Sequence, residues 1–432
     1  MSEKLIVGMA GFGTVGSSVY KVLKRNSELI HARAGKQIEI KRVVCRKTDK
    51  VILQTQGNVI ASNDLNTIID DPSIAVVIEV MGGVEPAKTF ILNALKNGKD
   101  VVTANKALLA THGDEIFKEA QKQNHSVFFE ASVAGGIPVI KALREGLTGN
   151  QISKISGILN GTCNYILSAM HKTPLSFAEA LKNAQQLGYA EADPTFDIEG
   201  LDTGHKLSIL TSLAFGVPFH FDMTAVEGIK GISSIDIQFA QKLGFVVKLL
   251  ATVEKINNYL SFQVAPTFIP QNSILAQVSD AMNAVEIVGD AVGKTLFYGA
   301  GAGGEATASA VLADIIDIAK GHKSIAKSDS PSVVTFIDNK EKRNKNYIRF
   351  NSVSLNDLTD QVLATLEKHH ISVEKIEQTN ENFVLMTQEI AEKTFQKALT
   401  ELSQTYSNQL SITRFRIEKN INPRFSISRI GQ

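Results

Sequence analysis

Residues 4–25, KLIVGMAGFGTVGSSVYKVLKR, limit what this chain can fold into more than any other segment. Lys4 to Met9 is a short apolar run, Gly11, Gly13 and Gly16 follow in the spacing GxGxxG, and Ser17 to Lys24 has the apolar spacing of a helix. Glycines at that spacing serve ordinary turns as well. Between a strand and a helix, however, they suit a bound dinucleotide. Gly11 permits the tight turn, Gly13 lets backbone approach a pyrophosphate, and Gly16 lets helix and strand pack closely. The helix N-terminus then faces the anion.

Further strands recur at helix-separated intervals: IEIKRVVCRK, IAVVIEVMGG and KDVVTANKALLA. Strand and helix in alternation predict an α/β fold with a doubly wound parallel sheet. The second strand ends in Arg46 and Lys47, where NAD-preferring folds usually carry an acid for the ribose hydroxyls. Positive charge there suits the 2′-phosphate of NADP, and the alternative is a solvated surface pair. Thr103, Asn105 and Lys106 stand just past a strand's carboxyl end, where such sheets face their ligand. With 432 residues the chain has room for two or three domains. A net charge of +1 suggests neither nucleic acid nor an anionic membrane. Two cysteines, Cys45 and Cys163, form no CxxC pair and fit a reducing cytoplasm. No apolar run approaches a membrane-spanning length.

Residues 191–206, EADPTFDIEGLDTGHK, crowd five acids around one lysine. A solvated acidic loop, a metal site and the polar end of an active site all fit that composition. Asp202 and Lys206 are four apart, so on a helix they share a face.

The motifs GFGTVG, VMGGVEPA, VVTANKALLA, EASVAGGIP, GILNGTCNYIL, LGYAEADPTFDIEG and GAGAGGEATASAVLADI follow one another from Gly11 to about Ile318. In that order they resemble the monofunctional bacterial homoserine dehydrogenases. The resemblance implies a Rossmann-like nucleotide domain over residues 1–130, completed by a helix at 305–320. It implies an α/β substrate and dimerisation domain over 131–304. The implied reaction is reversible hydride transfer between L-homoserine and L-aspartate 4-semialdehyde, on the route to threonine, methionine and isoleucine.

By the same resemblance Lys206 is the catalytic lysine and Lys106 its partner. Glu191 binds the substrate's amino group, Asp197 is a second acid of the site, and Asp202 orients the amine of Lys206. Thr162 and Tyr189 line the pocket. Gly11, Phe12, Gly13, Thr14, Val15, Gly16, Arg46, Thr103, Lys106 and Gly303 are the expected cofactor contacts, with NADP(H) preferred and NAD(H) possible. Glu130, Val133, Gly135 and Ile137 match a loop that binds a monovalent cation, usually sodium; from the residues alone a tight turn without an ion serves as well. Gly204 departs from the family's usual alanine, at a cost of roughly 1 kcal/mol in mid-helix.

Residues 321–346 turn rich in Lys, Ser and Asn and read as a connector. Residues 347–425 then follow a βαββαβ order, the split βαβ ferredoxin-like unit, and resemble an ACT domain, an amino-acid sensor. The Pro-Gly step usual before the first helix of such domains is replaced by Asn356-Asp357. Weak or absent response to threonine is therefore expected. The expected assembly is a cytoplasmic homodimer or homotetramer. Two other readings remain at this point: a cofactor-binding sensor without catalysis, and an oxidoreductase for another amino-acid semialdehyde.

Overall fold

The computed structural model describes residues 3–219, 221, 223–324, 334–351, 355–378, 382–406 and 410–418. They form two compact units. The first takes residues 1–230, 249–265 and 278–337, and the second takes residues 231–248, 266–277 and 338–432.

The first unit contains a six-stranded sheet in the order β3-β2-β1-β4-β5-β6, with every pair parallel. Its strands are β1 (Lys4–Ala10), β2 (Gln37–Val44), β3 (Ile60–Ser62), β4 (Val76–Glu79), β5 (Asp100–Thr103) and β6 (Val127–Phe128). The order reverses between β1 and β4, and the carboxyl ends of strands at such a switch point face the ligand. Both faces of the central strands are buried, which is why they read as continuous apolar runs. The helix Gly304–Ala319 comes from far along the chain. Its Ala308, Val311, Leu312 and Ile315 join Val7, Met9, Val19 and Ile78 in one buried cluster.

The same unit holds a mixed sheet of β7 (Ile152–Ile158), β10 (Met282–Gly289), β11 (Gly293–Ala300) and parts of β8 (Phe245–Ile256) and β9 (Tyr259–Pro270). Beyond them β12 (Thr335–Phe336) pairs parallel with the start of β9. The helices Gly161–Lys172 and Leu201–Phe215 belong to this unit, and the second is buried along nearly its whole length. Gly204 has a packing reason there, since a Cβ would lie 2.5 Å from the ring of Phe221. No helix among the described residues is long and apolar enough to cross a membrane.

In the second unit β13 (Arg343–Asn351), β14 (Val373–Gln378), β15 (Asn382–Thr387) and β17 (Ser411–Ile417) lie in the order β17-β13-β15-β14, all antiparallel. The helices Leu355–Lys368 and Glu392–Thr405 pack on this sheet through Val362, Leu366, Phe395 and Leu402. Asp236, fully buried in the helix Ser234–Lys242, accepts from the Arg349 guanidinium at 2.7 and 3.1 Å and from the Tyr347 hydroxyl at 3.2 Å. Two expectations change. β13 starts at Arg343, inside the expected connector, because Arg343 and Asn344 pair with the short strand β16 (Ile390–Ala391). Asn356 and Asp357 stand in the first turn of a helix that already begins at Leu355, not in a turn ahead of it; their side chains lie outside the described residues.

The three glycines after β1 occupy different environments. Gly11 has φ +107°, and a Cβ on it would lie 2.5 Å from the carbonyl oxygen of Val80. A Cβ on Gly16 would collide with the carbonyl oxygen of Gly11. Gly13 has an ordinary φ of −75° and open space where its Cβ would be. Gly13→Ala should therefore keep the melting temperature of the parent while weakening binding of a dinucleotide. Gly16→Ala should lose about 1–3 kcal/mol through overpacking. Thermal denaturation and a dinucleotide titration check both, and a Gly16→Ala variant as stable as the parent would refute the close approach.

Candidate active site

Helix 106–123 begins where β5 ends. Asn105 caps it, with its side-chain oxygen accepting from the Leu108 N–H at 3.1 Å, so Lys106 falls on the first helical position. A cation there opposes the positive end of the helix dipole. The compensation comes from helix 201–215, whose Asp202 pairs with Lys106 at 3.0 Å. One turn on, Lys206 donates to the other oxygen of Asp202 at 2.7 Å and to the carbonyl of Leu159 at 2.7 Å. The shared helical face expected of Asp202 and Lys206 is observed, and Lys106 joins it across the fold.

Asn160 belongs to this cluster and was not singled out from the sequence. It caps helix 161–172, its oxygen accepting from the Cys163 N–H at 2.8 Å. Its amide nitrogen donates to Asp197 at 2.7 Å and to Asp202 at 2.8 Å. Asp202 is thus buried with donors from three segments. Burial pushes its carboxyl up, but Lys206, Lys106 and Asn160 outweigh burial and hold it below the ordinary carboxylate range. Asp197 goes the other way, raised by burial and by the neighbouring Asp202 charge. Asp202 raises Lys106 against the pull of burial, so Lys106 is an ammonium at neutral pH.

The remaining expected pocket residues frame the cluster. The Thr162 hydroxyl donates to the carbonyl of Tyr189 at 2.6 Å. Tyr189 is 47% exposed, with its ring 5.0 Å from that of Tyr165. Glu191 is exposed, and its charge adds to the raised Lys106. Asp193 accepts from the Thr195 N–H and serves the local turn.

On the nucleotide side, helix 14–25 has no side-chain cap at its N-terminus. Thr14 is exposed, Val15 is half-buried, and Phe12 is buried with its carbonyl accepting from Lys50 at 3.3 Å. Helix 304–319 starts beside this turn: a Cβ on Gly304 would strike Ser18 and Thr14, and Arg25 pairs with Glu305 at 2.8 Å. Gly303 caps that helix, exposed. Arg46 is exposed just past β2. The open space at Gly13 and the uncapped helix end fit a dinucleotide phosphate.

Thr103 departs from expectation. Its side chain is fully buried and its hydroxyl donates to Glu79 at 2.7 Å while accepting from the Asn105 N–H at 3.0 Å. It faces into the protein and shapes the turn that presents Lys106, because the register places Thr103 beside Glu79. Glu79, also unanticipated, is signalled only as an acid ending an otherwise apolar strand.

The expected cation loop differs in detail. The Glu130 carboxylate accepts from the backbone N–H groups of Ile140 and Lys141 at 3.0 and 2.7 Å, and burial pushes it up to about 7. The Ile137 carbonyl accepts from the Val139 N–H, and Gly135 has φ +49° beside Gly301. The loop offers oxygen donors, the kind a hard cation takes. Those of Glu130 and Ile137 are already engaged, and no cluster of three metal-binding side chains occurs among the described residues.

Comparison with known proteins identifies the family. The profile described as homoserine dehydrogenase, NAD binding domain, matches residues 11–130, and that described as homoserine dehydrogenase matches residues 138–316. Homoserine dehydrogenase of Neisseria gonorrhoeae is 42% identical over 427 residues, 95% of this chain and 98% of that protein. The crystal structure of a homoserine dehydrogenase from Thiobacillus denitrificans superposes with a TM-score of 0.89 at 40% identity, covering 97% of this chain and all of that one. A hyperthermophilic archaeal homoserine dehydrogenase in complex with NADPH is similar at a TM-score of 0.63 and 26% identity, over 74% of this chain and 99% of that one. The lysine–carboxylate cluster draws Lys106 from the segment matched by the first profile and Asn160, Asp197, Asp202 and Lys206 from that matched by the second, and the chain belongs to the homoserine dehydrogenase family.

Proposed function

We propose a division of labour for the homoserine dehydrogenase reaction, the reversible interconversion of L-homoserine and L-aspartate 4-semialdehyde. Its support is the buried Asp202 carboxylate with Lys106 on one oxygen and Lys206 on the other. The nicotinamide, when bound, carries the hydride to or from the carbinol carbon. Lys206 moves the proton at the substrate oxygen. An ammonium has three N–H donors; two of those on Lys206 go to Leu159 and Asp202, and the third serves the substrate. Asp202 stays ionised and fixes both amines, while Lys106 adds positive charge where an oxyanion develops. Asp197, with one oxygen taking no hydrogen bond among the described residues, and the exposed Glu191 receive the substrate's ammonium. Thr162 holds the Tyr189 segment that borders the pocket.

Lys206→Ala should cut turnover by about 10²–10⁴-fold, the usual contribution of a general acid–base group, while NADPH affinity stays near that of the parent. Steady-state kinetics with homoserine and a binding titration check this; near-normal turnover would remove Lys206 as the proton carrier.

The preferred cofactor in this reading is NADP(H), with NAD(H) accepted. Arg46 and Lys47 at the end of β2 support it, as does the NADPH bound by the archaeal neighbour. Arg46→Ala should raise KM for NADPH several-fold more than KM for NADH. Equal losses would take Arg46 away from the 2′-phosphate.

The reading extends to a cytoplasmic homodimer or homotetramer, a sodium ion at loop 130–137 and an ACT-like second unit. The strand order of that unit is the support for the last. The sequence supports an insensitive unit, since Asn356-Asp357 stands where such domains usually carry Pro-Gly. In a thermal-shift experiment sodium chloride should raise the melting temperature over choline chloride, and L-threonine should leave it unchanged. No difference between the salts would count against the ion, and a threonine-dependent rise would count against an insensitive second unit.

A further inference from the structure

We infer that Asn160 is a positioning residue of the reaction, holding the carboxylates of Asp197 and Asp202 side by side so that one can meet the substrate while the other orients both lysines. The inference rests on the cluster being the homoserine site.

Two carboxylates facing one another repel, and each would be driven to protonate. Here one amide group donates to both, at 2.7 Å to Asp197 and 2.8 Å to Asp202. The orientation of the amide has a single solution. Its oxygen accepts from the Cys163 N–H as the cap of helix 161–172, so its nitrogen must face the acids. The residue before it supplies the Leu159 carbonyl that holds Lys206. Residues 159 and 160 thus fix the amine and both carboxylates from one point of the backbone, at the start of a helix whose Cys163, Ile166 and Leu167 are buried. Asn160 itself is only 5% exposed, and no described geometry requires it to touch substrate.

The charged and titratable groups around the pair are Lys106 from helix 106–123, Lys206 and His205 from helix 201–215 and Cys163 from helix 161–172, with Glu191 acting on Lys106 from the segment ahead of Asp197. Asn160 hydrogen bonds favour the ionised form of both acids. Removing them raises the pH at which those acids ionise, so activity is lost earlier on the acidic side.

Asn160→Ser keeps a good helix cap but no amide donors. It should lower kcat/KM for homoserine about 10–100-fold, in line with losing hydrogen bonds to a charged group, and shift the acidic limb of the kcat/KM profile upward. NADPH affinity should stay close to that of the parent, while the melting temperature falls by a few degrees as the buried acids lose a donor. Asn160→Asp, also a good cap, puts a third carboxylate there, so it should lose more activity and move the limb further; it decides the matter if the serine variant folds poorly. A loss of activity with the limb in place would mean a structural cap only, and activity within twofold of the parent would likewise overturn the inference. The Lys206→Ala enzyme separates the two levels. If it turns over normally, the site reading fails. If it is inactive while Asn160→Ser is normal, only the role of Asn160 fails.

Discussion

The site depends on keeping one carboxylate ionised in the interior. A buried carboxylate costs several kcal/mol unless it is paired and fully hydrogen-bonded. Asp202 is 3% exposed and answers that cost with Lys106, Lys206 and Asn160, each from a different helix or helix cap. Breaking any one of them leaves a charge with too few partners, so the four groups hold one another in place. The surrounding architecture serves this contact. β5 and its cap deliver Lys106 at a helix end where it would otherwise be unfavourable, and the buried helix 201–215 carries Asp202 and Lys206 one turn apart.

The second unit uses the same device for a different purpose. Asp236 is wholly buried, accepts from Arg349 and Tyr347, and also receives the N–H and hydroxyl of Ser233 in a capping box. Tyr347 in turn stacks with Phe268 and Phe415, the three ring centroids 4.4 to 5.9 Å apart. An acid satisfied this completely by fixed partners has nothing left for a ligand. Asp197, by contrast, has one oxygen that takes no hydrogen bond among the described residues.

What the sequence disclosed was whatever is local. The glycine turn spans six residues, and its three glycines meet the three environments their spacing implies. The pair Asp202–Lys206 lies within one helical turn. The βαββαβ order could be read because each strand and helix carries its own periodicity. What stayed hidden depends on partners distant in the chain. Asn160 reaches acids 37 and 42 positions away, and nothing within GILNGTCNYIL distinguishes it from an ordinary cap. Thr103 looked like a ligand contact from its place after an apolar strand. The register of β4 beside β5 instead sets its hydroxyl against Glu79, whose acid at the end of a buried strand was the available clue. Gly204 looked like a small defect until Phe221 was seen filling the space a methyl would take.

The helix 304–319 has a consequence for how the molecule is made. Its Ala308, Val311, Leu312 and Ile315 fill the core under β1 and helix 14–25. A ribosome that has released the six-stranded sheet has therefore not yet released the side chains that close it. Domains ordinarily fold one after another as they emerge, but here the first must wait, with part of its apolar surface uncovered, for some 180 more residues (at 5–20 residues per second, roughly 10–40 s). Synthesis of the intervening segment and completion of the nucleotide core are thereby tied in time, and a chain truncated before residue 304 would carry the glycine turn without the helix that packs beside it.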